Sequence, residues 1–359
     1  MAQMGKKVLI GMSGGVDSSV AALMLISSGY DTSGVTLRLY DGEDYENNLT
    51  KTCCSLTDVE DARSVCDRLG IRHYVFNFKE RFEKEVIDKF IREYRLGHTP
   101  NPCIDCNRFI KFYEMQKRAE LLDMDYIATG HYARIVKQNG KFLLTRPRDI
   151  SKDQTYVLYV LTQEQLSRTL MPLGEFTKDE VRQIAQENGF VNANKSDSQD
   201  ICFVPDGKYA QFIERRDNSP LSPGNFVDLK GNVLCPHSGF ERYTIGQRKG
   251  LGVGFGKPVY VVGKNSKTSQ VLLGDEKELY KTRVRVEDTN FSAFEKLEAP
   301  LRCKGKLRYR QREEDCIIHP VDEHTLIAEF NTPQRAVTPG QAAVFYDGDT
   351  VLGGGTIVY

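Results

Sequence analysis

The chain has 359 residues, enough for two or three domains with their own cores. Hydrophobic residues make up 40% and charged residues 27%, a globular composition, and 49 basic side chains balance 49 acidic ones, so no global field draws the chain to nucleic acid or membrane and any such contact must come from local patches. The opening MAQMGKKVLIGMSGG enters a strand-like run without a signal core and no later run approaches membrane-span length, so we expect a cytoplasmic protein with no membrane contact.

KKVLIGM (6–12) reads as a short apolar strand, followed by SGGVDSS and by VAALMLISSG (20–29), a helix that Gly29 stops. GVTLRLY (34–40) is a second strand. TDVEDARSVCDRLG (57–70) sets Val59, Ala62, Val65, Cys66 and Leu69 on one helical face and ends at Gly70. IRHYVFNF (71–78) is a third strand and KERFEKEVIDKFIREYRLG (79–97) a long helix. Another helix follows NPCIDCN (101–107), and DYIATGHYARI (125–135) is a further strand. This alternation predicts a parallel sheet with helices on both faces and a ligand at the carboxyl ends of its strands, beside the topological switch point. TKDEVRQIAQENG (177–189) carries a capping box, Thr177 with Glu180, and a stop at Gly189. Beyond about residue 205, glycines, prolines and short β-rich runs replace long helices, which predicts one or two small all-β modules with a break near 275–280.

GMSGGVDSS (11–19) lies between the first strand and its helix. Its glycines let backbone approach an anion, the helix start favours negative charge, and Ser13 and Ser18 add donors. Asp17 is suited to hold a magnesium ion against phosphates. The loop is neither a Walker A sequence nor a GxGxxG turn, and the plain alternative is a serine-capped turn.

Nine cysteines, odd in number and irregular in spacing, favour thiol, metal or redox chemistry over a disulfide framework. Cys103 and Cys106 have a spacing used for metal or redox work. Cys202, in SDSQDICFV (196–204), is the third candidate. Cys53, Cys54, Cys66, Cys235, Cys303 and Cys316 read as buried packing residues. A zinc site would need a fourth ligand, for which His98 and His131 are available at no zinc-finger spacing.

RCKGKLRYRQR (302–312) puts Arg302, Lys304, Lys306, Arg308, Arg310 and Arg312 at even positions. As one strand it would line six cations on one face, a track for RNA or another polyanion; the alternative is a charged edge strand that discourages aggregation. YTIGQRKGLGVGFGK (243–257) adds a basic, glycine-rich loop and KDQTY (152–156) a short polar segment.

S-G-G-V-D-S in this setting resembles the loop of N-type ATP pyrophosphatases, which split ATP between its α- and β-phosphates and pass AMP to an acceptor oxygen. That resemblance implies ATP contacts at Gly11, Met12, Ser13, Gly14, Gly15, Val16, Asp17 and Ser18, with adenine near Leu37 and Gly130. Taken together, GMSGGVDSS, TPNPCIDCN with IKF after it, DYIATGHYAR, SKDQTYVLY, SDSQDICF, YTIGQRKGLG, RYRQ, TPGQAAVFY and LGGGTI closely resemble the bacterial tRNA-specific 2-thiouridylases across nearly the whole chain. The resemblance implies an α/β fold: a parallel-sheet nucleotide domain with the cysteines over 1–205, a small central β-rich domain over 206–276, and a C-terminal, tRNA-binding β-barrel over 277–359.

It further implies thiolation of the wobble uridine of tRNAs for lysine, glutamate and glutamine. ATP would adenylate the C2 oxygen and a sulfur nucleophile would displace AMP. Cys202 matches the persulfide carrier, and a cysteine desulfurase or persulfide relay protein would supply its sulfur. Cys106 matches the residue that frees or attacks that sulfur. Asn101, Pro102 and Cys103 match positions at the flipped target base, and Lys152, Asp153, Gln154, Arg308 and Tyr309 match tRNA contacts.

The chain departs from many members at Cys103, where they carry Asp. Cys103, Cys106 and Cys202 then form a three-cysteine set, similar to tRNA thiolases that hold a [4Fe–4S] cluster with one open iron, so the motif is compatible with a persulfide or a cluster route. The rival readings are an amide-forming or lysidine-type ATP pyrophosphatase and a non-catalytic RNA-binding protein with a cysteine-held metal.

Overall fold

The computed structural model describes residues 5–40, 56–193, 195, 201–204 and 207–359. Cys53, Cys54 and part of the segment before Cys202 lie outside them.

The amino-terminal half supplies β1 (Lys7–Gly11), β2 (Asp31–Arg38), β3 (His73–Asn77), β4 (Tyr126–Ala128), β5 (Arg134–Gln138), β6 (Lys141–Thr145) and β7 (Thr169–Leu170). Five of these form a parallel sheet in the order β3-β2-β1-β4-β7. Chain order reverses beside β1, so the loop after β1 opens at the switch point, where a parallel sheet leaves its ligand crevice. The helices Val16–Ser27 and Leu56–Leu69 follow β1 and precede β3. Gly29, Gly70 and Gly189, all with positive φ, end three helices as expected, and Thr177 and Glu180 form the expected capping box.

The run 125–135 is two strands rather than one. β4 stops at Ala128, and β5 pairs with β6 in a hairpin that leaves the parallel sheet. β6 instead meets the carboxy-terminal sheet, with Thr145 opposite Thr350.

The central unit begins with a helix, Tyr209–Arg216, where only β structure was expected. The helix buries Ala210, Phe212 and Ile213. β8 (Gly224–Val227), β9 (Val233–His237), β10 (Tyr260–Asn265) and β11 (Gln270–Gly274) follow in the order β10-β11-β8-β9. The last unit comprises β12 (Tyr280–Phe291), β13 (Leu301–Lys306), β14 (Glu314–Pro320), β15 (Leu326–Arg335), β16 (Ala342–Asp347) and β17 (Thr350–Val358). They run β12-β15-β14-β13-β16-β17, and β17 pairs back to β12, which closes a barrel and removes its open edges.

Two long helical rods flank the site. Residues 79–95 and 102–121 are each continuous, with π-helical stretches at Glu83–Ile87 and Cys106–Glu114. Lys89 Nζ meets Asp105 Oδ1 at 2.7 Å and ties one rod to the other. Phe82 and Phe90 from the first rod, Phe212 and Phe203 form an aromatic cluster with ring centroids 5.2–6.4 Å apart. Such pairs add about 0.5–1.5 kcal/mol each beyond area burial. Arg95 binds Glu241, which is fully buried in the central unit, at 2.8 Å and also Asp217 at 3.0 Å. No helix among the described residues is long and apolar enough to cross a membrane.

Candidate active site

The loop after β1 is folded by its own hydroxyls. Ser13 N–H donates to Ser18 Oγ at 3.2 Å, and Ser18 and Ser19 hydroxyls both donate to the Gly15 carbonyl. Gly15 is the helix N-cap, and no side-chain hydrogen bond caps the helix there. Among the described residues the helix start therefore lacks a side-chain cap, the usual arrangement for an anion. Gly14 has φ +69°, and a Cβ there would stand 2.5 Å from the Asp58 carbonyl oxygen. Gly130 also packs closely: a Cβ would come 2.9 Å from Asp17 C and Ser18 N. Its lack of a side chain thus serves contact with the loop itself. Leu37 is buried at the carboxyl end of β2.

Asp17 is not bare. Lys178 Nζ lies 2.8 Å from both of its carboxylate oxygens, and Tyr132 donates its hydroxyl to Oδ1 at 2.8 Å. Lys178 opens the helix Lys178–Glu187, and the sequence offered no signal for this pairing across 161 positions. Gly14 O accepts from Asn192 Nδ2 and Lys195 Nζ; Lys195 also meets Asp58 at 2.6 Å and Asp61 at 2.8 Å. Asn192 and Lys195 are thereby tied to the loop after β1.

The C-x-x-C lies within a helix start, not before it. Asn101 caps it, accepting from Cys103 N–H at 3.2 Å, and Pro102 occupies the first turn where its missing donor is harmless. Cys103 is exposed and Cys106 buried, at the start of the π-helical stretch. Cys106 belongs to the largest core, and Cys202 packs against the same core. Phe203, one residue on, anchors Cys202 through the aromatic cluster.

Burial pushes the Tyr309 hydroxyl above its ordinary value of 10; negative charge from Asp153 and then Cys103 adds to this, against Arg310. Tyr309 rests edge-on against Tyr156, and Lys306 Nζ lies 5.8 Å from both ring centroids. Arg146, absent from the sequence expectations, holds this corner. It makes a two-pronged contact to Glu313 at 3.0 and 2.6 Å, lies 3.7 Å from Asp153, and sits over the Tyr346 ring.

Of the other expected tRNA contacts, Asp153 is buried, while Lys152, Gln154 and Arg308 are half-buried. Asp153 accepts from the Thr155 N–H and hydroxyl. Gln154 accepts the Tyr132 N–H at 2.8 Å, and Lys152 is half-buried beside it. Arg308 donates to Ala336 O at 2.6 Å, Thr338 Oγ1 at 2.7 Å and Ile245 O at 3.3 Å, bracing the barrel against the central unit.

The six-cation face does not form. β13 ends at Lys306, whose side chain and the next, Leu307, are both buried, so period two is lost. The strand gives way there to the hairpin loop that leads to β14. Arg302, Lys304, Arg310 and Arg312 remain exposed, as do Arg248 and Lys249 in the glycine-rich loop.

The expected histidine ligands are committed elsewhere. His98 Nδ1 lies 2.7 Å from Glu93 Oε2, and the buried His131 shares a hydrogen bond with Thr129 at 2.8 Å. Among the described residues, no three His, Cys, Asp or Glu side chains are grouped so that they could hold one metal ion. Cys103, Cys106 and Cys202 are therefore not gathered as cluster ligands.

Three family models match in succession: the tRNA methyl transferase HUP domain over 6–206, the tRNA methyl transferase PRC-barrel domain over 210–275 and the aminomethyltransferase β-barrel domain over 281–357. Curated relatives called tRNA-specific 2-thiouridylase MnmA align along nearly their full length. That of Acetivibrio thermocellus is 52% identical, covering 98% of this chain and 99% of the relative. The Lachnoclostridium phytofermentans protein is 51% identical at the same coverage, and the Clostridioides difficile protein is 50% identical, covering 99% and 98%. A solved 4-thiouridine synthetase–RNA complex with bound ATP covers 59% of this chain and 50% of its own, with a TM-score of 0.35 and 20% identity. The parallel sheet, the central sheet and the closed barrel are the three units these family models describe, and the chain belongs to the tRNA-specific 2-thiouridylase family.

Proposed function

We propose that the chain uses ATP to replace the C2 oxygen of the tRNA wobble uridine with sulfur. The observation that carries this is the position of the Cys103–Cys106 helix start: it shares its core with Cys202 and belongs to the unit whose first loop offers a helix start without a side-chain cap. The C2 oxygen attacks the α-phosphorus of ATP, and pyrophosphate leaves. The Cys106 thiolate then attacks the inner sulfur of a Cys202 persulfide, forming a Cys106–Cys202 disulfide and releasing hydrosulfide. Hydrosulfide adds at C2, and AMP departs with the original oxygen. Two equivalents of an external thiol, oxidised to their disulfide, return both cysteines to the reduced state with two electrons.

The helix start holds the phosphates, and Lys178 holds Asp17 in place. Both Asp17 carboxylate oxygens are engaged by the Lys178 ammonium and one also by the Tyr132 hydroxyl, so Asp17 as it stands does not fit the magnesium ion expected there, and no step is derived through one. Among the described residues no three His, Cys, Asp or Glu side chains are grouped to hold a metal ion, and no step is derived through a [4Fe–4S] cluster.

The flipped base stacks on Tyr309, which is 39% exposed, above Cys103 and Asn101. Arg248, Lys249, Arg302, Lys304, Arg310 and Arg312 track the tRNA backbone, and Lys152 reaches it from the first unit. By family, the substrates are the tRNAs for lysine, glutamate and glutamine, and the sulfur donor is a cysteine desulfurase or a persulfide relay protein. The working limits of the units are 1–205, 206–276 and 277–359.

The test is nucleoside mass spectrometry on tRNA treated with iron-free protein, ATP and a persulfide donor. The expected result is 2-thiouridine at the wobble position with one AMP per sulfur. Cys202→Ser should lose the thiolated nucleoside but keep tRNA-dependent AMP formation. Nitrogen in the product, or AMP formation indifferent to tRNA, would overturn the reading.

A further inference from the structure

β13 and β14 pair antiparallel, and Cys303 stands directly opposite Cys316. Their sulfurs are 3.6 Å apart. Directly opposed antiparallel residues have Cα atoms about 4.5–5.5 Å apart, inside the roughly 4.4–6.8 Å range that disulfides accept. Neither residue belongs to the site described above. Both thiols are free; Cys303 is half-buried and Cys316 buried behind it. Two rungs further on, at Gly305 and Glu314, the ladder ends in the loop that carries Tyr309.

We propose that Cys303 and Cys316 are a second, non-catalytic dithiol, a modification site that a small disulfide such as oxidised glutathione converts to a cross-strand bond at the root of the Tyr309 loop. Cys303 loses its proton to solvent and attacks one glutathione sulfur, expelling one glutathione thiolate. Cys316 then loses its proton and attacks the Cys303 sulfur, expelling the second. Two S–H bonds are exchanged for one S–S bond, and two electrons leave on two molecules of glutathione. The neighbouring Cys316 thiol and burial raise the Cys303 thiol well above its ordinary value, so its thiolate is scarce and the reaction is slower than at the exposed Cys103.

The experiment treats the full chain with oxidised glutathione under native conditions, alkylates the remaining thiols and maps unreduced peptides by mass spectrometry. The expected product is a Cys303–Cys316 linked peptide, two hydrogens lighter than the reduced pair, that dithiothreitol opens. Amide hydrogen exchange along 301–306 and 314–318 should slow several-fold on oxidation in the parent protein and stay unchanged in Cys303→Ser. Full alkylation of both cysteines after Cys103 has been consumed would overturn the proposal. So would a Cys303–glutathione adduct that never resolves, or a linked peptide formed only in denaturant.

Discussion

The loop after β1 takes its glycines and serines from nine consecutive residues, Gly11 to Ser19, whereas the corner around Tyr309 is assembled from Arg146, Asp153, Tyr156 and Glu313. The first is a local structure that tertiary packing then braces through Asp58, Lys178 and Lys195. The second exists only when the barrel has closed on the parallel-sheet unit. A contiguous loop tolerates disturbance at a distance, whereas an assembled corner depends on each of its distant partners.

Changes at the thiols should separate the two regions most sharply. Cys106→Ser is expected to lower thiolation on the order of 10⁴-fold, roughly 5.5 kcal/mol, while ATP affinity by equilibrium binding stays within twofold. Equal loss of both would break the distinction. Phe203→Ala removes the anchor beside Cys202 and should cost about 3–5 kcal/mol in urea unfolding. Gly14→Ala acts on the loop alone. The positive φ costs about 1–2 kcal/mol and the contact with Asp58 must open, so ATP binding should weaken tenfold or more with tRNA binding unchanged. Arg146→Lys loses the two-pronged grip on Glu313, worth about 1–3 kcal/mol, and should raise the KM for tRNA without changing the KM for ATP.

The smallest effect is on acid stability. Burial and Lys111 hold His131 well below its ordinary value of 6.5, so the folded protein excludes a proton that the unfolded chain takes up. Its contribution is complete above pH 6.5 and is lost as pH falls below that value, at up to about 1.4 kcal/mol per pH unit. Urea midpoints between pH 7.5 and 5.5 should show this slope, and His131→Gln should flatten it. His73 is lowered by burial and Arg63, and its contribution has the same sign.

What the sequence displayed was what is local. The strand–loop–helix at 7–27, the glycine stops and the Thr177–Glu180 box depend on neighbours within a few positions. The cysteines and Tyr309 stood out by residue type and by resemblance, although the helix start that carries Cys103 was placed too late. Lys178 and Arg146 left no trace, because one lysine or arginine at the end of an element has nothing periodic about it. The even-numbered cations misled for the opposite reason: a regular pattern ran on past Lys306, where the strand had ended. Tyr209–Arg216 was short and sat among glycines and prolines, which hid a helix of only eight residues.

The β5–β6 hairpin, made early in the chain, docks on β17 at Thr145 opposite Thr350. Domains generally fold as they leave the ribosome, at about 5–20 residues per second, so this ribbon waits some tens of seconds for its partner strand to be synthesised. Thr99, just ahead of the Cys103 turn, waits as well, for the carbonyl of Pro339. A nascent chain stalled before its last strand would therefore carry an intact glycine–serine loop beside an unfinished Cys103 turn, and it would show an unpaired β edge to whatever chaperone or neighbouring chain met it first.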